Sequence, residues 1–195
     1  MEENVGKIIT DPKDIAYALK HIQESKLTMH GHVWTEHYRK GVLLEACDEG
    51  SNTFTTEGMA NILNTYFKAA TQPAHIYCGI FKGNVTPALT DTAAGALGTS
   101  GRFTECLDAD YGTPATNRPE YVIATTTTAA ITNTASKAEF TIAGSIYVYG
   151  AFLATSQAKT ATTGTLICGK RFTTSKACEA DDQLAVTYGI TMTTS

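Results

Sequence analysis

Short apolar runs of strand length alternate with turn-rich segments over the last third of the chain. Residues 138–142, 146–153, 165–172 and 183–193 predict four strands. Within 145–153, Ile146, Val148, Gly150 and Phe152 alternate with Tyr147, Tyr149, Ala151 and Leu153. Both sets are apolar, the pattern of a central strand covered on two faces. Phe140, Ile142, Phe152, Leu166, Leu184 and Val186 take inward positions. Upstream, 31–38 and 42–47 flank Arg39-Lys40-Gly41, a hairpin turn in which Gly41 supplies positive φ. Segments 75–81, 103–107 and 121–126 complete the strand set. Residues 87–101 predict a long flexible surface loop, and 110–118, with Pro114, an irregular stretch.

Two segments carry helical spacing instead. Asp11-Pro12-Lys13-Asp14 starts a short helix ending near Ser25: Asp11 caps it and Pro12 suits the first helical position. Its apolar stripe is Ile15, Leu19 and Ile22. The second helix follows Thr55-Thr56-Glu57-Gly58, capped by a threonine, with Glu57 in its first turn. Its wider stripe is Met59, Ile62, Leu63, Tyr66 and Phe67, expected to pack across the open end or face of a sheet. The expected fold is therefore all-β, a β-sandwich or jelly roll of about eight to nine strands. One helix packs on it, residues 1–30 form an N-terminal helical arm, and 31–195 form the sandwich domain.

Composition narrows the function. Charged residues make up 17 % of the 195, hydrophobic ones 43 %, so the chain has a core. The net charge of −4 and the scattered Lys and Arg provide no basic field for nucleic acid. No segment approaches a membrane span, and the acidic start, Met1-Glu2-Glu3-Asn4, lacks the apolar core of a signal peptide. The chain is expected to stay in the cytoplasm of the cell that makes it. Five cysteines without CxxC spacing (Cys47, Cys78, Cys106, Cys168 and Cys178) predict buried, reduced thiols.

The search for chemistry yields weak signals. His30 and His32 would share one face of a strand and His37 the other, a metal pair lacking a marked third ligand. Asp108-Ala109-Asp110 and Glu179-Ala180-Asp181-Asp182 suit turns better than a carboxylate pair facing across a cleft. Gly95 to Gly101 is glycine-rich but lacks the Lys-Ser/Thr ending of a phosphate loop. Tyr147, Tyr149 and Phe152 have no basic neighbours for base stacking, so a core or interface role is expected. No nucleophile motif is present. A non-enzyme without catalytic residues, metal or cofactor is the expectation.

The order of short motifs adds a resemblance. The hairpin at Gly41 leads to Asn52-Thr53-Phe54-Thr55-Thr56-Glu57-Gly58, the second helix, Ile76-Tyr77-Cys78-Gly79-Ile80-Phe81 and Thr86-Pro87-Ala88-Leu89-Thr90-Asp91-Thr92. Thr104-Glu105-Cys106, Tyr111, Arg118-Pro119 and Ile131-Thr132-Asn133 follow, then residues 135–142, 149–153, 163–166 and 182–188. Over roughly residues 31–193 this order resembles a family of small tailed-bacteriophage virion proteins, and 1–30 looks like an addition to it. The resemblance implies a particle component without catalysis, located in the virion and made in the host bacterial cytoplasm. Its partners would be other virion proteins, the major capsid protein or tail and neck proteins, and copies of itself. Three functions follow as expectations. The first is a capsid cement or decoration protein, with Ile15, Leu19 and Ile22 on a docking arm. The second is a tail, neck or baseplate component. The third is a glycan-binding module of a tail appendage, for which Trp34 is the only tryptophan.

Overall fold

A computed structural model describes Lys13 and residues 27–194. Ile15, Leu19 and Ile22, the expected docking arm, lie outside the described residues. The fold is the expected all-β sandwich, built from two antiparallel sheets. The larger sheet holds β1 (Leu27–Arg39), β2 (Val42–Ser51), β5 (Tyr111–Thr113), β6 (Ala130–Thr132), β7 (Ala138–Ile142) and β10 (Gln183–Thr194). Its order is β2-β1-β10-β7-β5, with β6 also pairing with β10. The smaller sheet has the order β3-β9-β8-β4, from β3 (Thr53–Phe54), β9 (Leu166–Cys178), β8 (Ile146–Ala154) and β4 (Tyr77–Phe81).

β1 begins at Leu27 rather than Gly31, so residues 27–30, expected in the arm, pair with the end of β10. The β1–β2 turn places both Lys40 (φ 50°) and Gly41 (φ 77°) in the left-handed region, the geometry whose twist matches a tight hairpin. β2 carries an extra residue at Leu44 and another at Glu49 relative to its partner.

Between the sheets, Val33, Phe140, Ile142, Leu184, Val186 and Tyr188 of the larger one meet Cys78, Ile80, Val148, Ala151, Leu153 and Phe172 of the smaller. A second core lies on the far face of the smaller sheet. There Phe81, Phe152, Ala154 and Leu166 pack under Ala93, Ala96, Leu97 and Phe103. Phe152 and Leu166 were expected between the sheets. The β8–β9 ladder slips between Val148 and Gly150, and β9 has an extra residue at Ile167. The first slip puts Ala151, not Gly150, on the side of Val148. The extra residue lets Leu166 face outward while Ile167 faces inward.

The segment expected as a flexible loop at 87–101 is instead the lid of this second core. It contains α2 (Ala93–Ala96), a single turn capped by Thr92. Residues 103–107 and 121–126 form no strand. Glu105 makes one bridge to Phe81, and Tyr121 hydrogen-bonds to Ile76 before the chain leaves the sheet. Around 126–128, threonine hydroxyls bind nearby backbone instead of leaving it to a ladder.

Helix α1 (Thr56–Phe67) is capped by Thr55, whose hydroxyl accepts from the Gly58 N–H at 2.9 Å. The same hydroxyl donates to the Leu166 carbonyl, and the Thr55 N–H donates to Ile167 at the bulge. Gly58 is needed for this docking: a Cβ there would lie 2.3 Å from the Ile167 carbonyl oxygen. Glu57 accepts from the Leu166 N–H at 2.7 Å and the Ala93 N–H at 2.9 Å, joining helix, sheet and lid.

Two close approaches in the smaller sheet are reciprocal. Gly79 lies opposite Phe152 and Gly150 opposite Phe81, and each ring crosses the partner glycine. A Cβ on Gly150 would sit 2.2 Å from the Phe81 ring and 2.3 Å from the Lys170 carbonyl oxygen. Gly150→Ala is expected to lower stability by about 1–3 kcal/mol through this overpacking. Gly112→Ala, which meets nothing within 4 Å, serves as the near-neutral control in urea unfolding.

Candidate functional site

Most charged groups that the fold buries are already partnered. Arg118 and Glu105, both fully buried, form a two-pronged ion pair at 2.7 and 2.8 Å. The guanidinium also donates to the Ser156 and Ala161 carbonyls, and Glu105 accepts from the Gly98 N–H. Lys159 donates to the Tyr111 and Ala115 carbonyls and pairs with Asp108 at 3.0 Å. Asp110 pairs with Lys82 and closes the turn at Leu107. Lys176 of β9 pairs with Glu45 and Glu49 of β2, and Glu49 also accepts from Thr35 and the Thr173 N–H.

The histidines divide as the spacing predicted. His30 and His32 take the outer face of β1, and His37 points inward. The His32 ring pairs with the Asp48 carboxylate and packs tilted against Trp34, with ring centroids 4.3 Å apart. His37 comes together with Cys178 and Asp182, their ligand atoms all within 4.8 Å of one another. This is metal-like spacing, which the sequence did not indicate because His37 is 145 residues from Asp182 along the chain. The charges there argue against a cation site. Arg39 donates to both Asp182 oxygens, at 2.9 and 2.8 Å, and His37 and the Glu179 N–H reach the same carboxylate. Arg39 and the other donors hold the Asp182 carboxyl well below the usual carboxylate range. Burial pushes the Cys178 thiol up to about 12, so a thiolate ligand is disfavoured. The arrangement fixes the acidic turn to the end of β1. All five cysteines are free thiols, four buried and Cys47 half-buried.

The surface carries the remaining candidates. On α1 the packed side is Gly58, Ile62 and Thr65, while Met59, Leu63, Tyr66 and Phe67 are exposed. Of the stripe expected to pack on the sheet only Ile62 does so; the other four residues face outward, because docking through Gly58 turns the other side of the helix toward the bulge. Tyr66 is 81 % and Phe67 75 % exposed, too much for a side chain closing its own core. Beside them an apolar groove of about 440 Å³ runs past Ile62, Tyr66, Met29, Ile190 and Met192. At the other end of β1, Val42, Leu43 and Leu44 are exposed beside the hairpin turn.

A second groove, of about 830 Å³, lies on the outer face of the larger sheet. Trp34, Thr187, Gly189 and Thr191 form its floor, β2 one wall, and residues 128–134 with Lys137 the other. Of the other sequence candidates, Tyr147 is exposed and Phe152 buried, and Gly98 and Gly101 serve the lid.

Comparison of the chain with family models, curated proteins and solved structures gives no match. Among the described residues, no helix is long and apolar enough to cross a membrane.

Two expectations test the buried charges. Glu105→Gln leaves the Arg118 guanidinium buried without a counter-charge and should cost about 3–5 kcal/mol in urea unfolding. Replacing both partners, Glu105→Leu with Arg118→Met, should cost less than the single change. Asp182 has a depressed folded-state pKa, so its stabilisation is fully present above the unfolded value of about 3.9 and is lost as pH falls through the folded one. Asp182→Asn should therefore lower the melting temperature at pH 7, and its gap to the parent should narrow progressively below about pH 4.

Proposed function

We propose that this chain is a non-catalytic structural component of a tailed-bacteriophage particle, acting as a cement protein bound to the major capsid lattice. The observation that carries the reading is a pair of exposed apolar patches at opposite ends of β1. The α1 stripe of Met59, Leu63, Tyr66 and Phe67 lies beside Met29, and Val42–Leu44 follows the turn after Arg39. Met29 and Arg39 are ten residue steps apart on extended strand, about 30 Å. One small domain with an adhesive patch at each end can hold two neighbours at once, and the two modest contacts then add through multivalency. The sequence resemblance points the same way. The buried carboxylates and thiols support a binding role over a catalytic one, since they are engaged in holding the fold.

A tail, neck or baseplate position would use the same patches in a small ring. Stoichiometry separates the two. Quantitative mass spectrometry of purified particles against their major capsid protein should find hundreds of copies. About a dozen or fewer would move the protein to the neck or tail, and its absence from particles would overturn both readings. Leu63→Asp with Phe67→Asp should leave the melting temperature within a few degrees, because both side chains are exposed. The same variant should fail to enter particles.

A further inference from the structure

The groove on the outer face of the larger sheet has a different chemistry from the apolar patches. Its floor holds the only tryptophan of the chain, 40 % exposed on a face otherwise made of threonines and a glycine. Gly189 makes room for the indole, since a Cβ there would come within 3.2 Å of it. His32 packs on Trp34 at an interplanar angle of 31° without lining the groove, so it backs the ring. In turn Asp48 fixes His32. The result is a braced aromatic surface with an open side.

Around that surface the polar groups are neutral or paired. Thr128, Thr132, Thr134, Thr187 and Thr191 bring hydroxyl-bearing side chains to the groove. At one end Lys137 donates to both Glu36 oxygens at 2.7 Å and holds that carboxyl below its ordinary value. The two charges cancel, and the Asp48 carboxylate is engaged by the His32 ring and the Gly50 N–H. The one lysine lining the groove is taken up by Glu36, so no free cation awaits an anionic ligand. The volume falls within the range of small-ligand sites, about 300–1,000 Å³, and the open shape suits an extended ligand over a compact one.

We infer that this groove binds a neutral oligosaccharide of hexopyranose units, with Trp34 stacking on the C–H face of one sugar ring and the threonines and the Glu36–Lys137 pair meeting its hydroxyls. A pyranose presents an apolar face and a rim of donors and acceptors, the complement of an indole ringed by hydroxyls. An apolar peptide would take those hydroxyls and the ion pair out of water while offering them no polar contact in return. The inference does not rest on a place in a phage particle.

Because Trp34 is the sole tryptophan, its fluorescence reads this groove alone. The full chain would be titrated with maltotetraose, cellotetraose, chitotetraose and mannotetraose, with a sulfated heparin disaccharide as the charged control. At least one neutral tetrasaccharide should shift the Trp34 emission saturably, with a Kd of about 1 mM or tighter, while the heparin disaccharide does not. Calorimetry should then show at least tenfold weaker binding to Trp34→Ala and to Ala46→Arg, which fills the groove from an exposed wall position. Unchanged melting of Ala46→Arg keeps loss of binding separate from loss of fold. No response to any of the four, an equal response to the heparin disaccharide, or undiminished binding in both variants would each overturn the inference.

Discussion

The buried pair of Arg118 and Glu105 is the constraint on which the rest of the architecture depends. A guanidinium with no exposure is tolerable only when its donors are met, and here they reach Glu105 and, through Ser156 and Ala161, the loop after β8. Glu105 in turn gathers Gly98. The lid at 93–103, the segment before β4's neighbour Pro119 and the loop after β8 must therefore assemble together. Phe152 lies beneath the same guanidinium, 5.2 Å from its centre, so the ion pair and the second core share a boundary.

That arrangement decides which surfaces remain for partners. The smaller sheet has both faces covered by its own chain, one by the larger sheet and one by the lid. What stays open is the outer face of the larger sheet, the outward side of α1 and the β1–β2 turn. The Asp182 cluster and the Lys176–Glu49 pair fasten the larger sheet from within, at the end of β1 and along the edge strand β2. They join the strands of that face without appearing on it. Each buried charge thus shapes the surface indirectly, by fixing the strands that carry it.

The sequence made the all-β class and the strands of the last third readable, because long apolar runs bounded by turn residues have few other uses. The Thr55 cap and the sides of His30, His32 and His37 were readable for the same local reason. Features set by tertiary contact were not. The slip in the β8–β9 ladder moved Phe152 and Leu166 to a second core that simple alternation cannot express. The lid, rich in Thr, Ala and Gly, has the composition of a loop, yet Leu97 and Phe103 bury it. Helical spacing located the stripe on α1, but its direction depends on Gly58 meeting the bulge at Ile167. The groove around Trp34 draws on β1, β2, β10 and residues 128–137, and no local motif announces so distributed a site.

The size of the apolar patches constrains how they can act. Aromatic side chains bury about 150–250 Å² each, so Tyr66 and Phe67 with Leu63 and Met59 contribute several hundred Å² at most. A stable pairwise interface needs about 800 Å² from each partner. Neither this stripe nor Val42–Leu44 reaches that alone, so the chain by itself should bind a single partner weakly. Tight attachment would need both ends engaged at once, the condition met on a repeating lattice and not by a lone partner in solution. A surface built this way remains tolerable in the free protein, since each patch is too small to drive strong self-association. Under the proposed cement role it would become adhesive only where neighbours are already held at the right spacing.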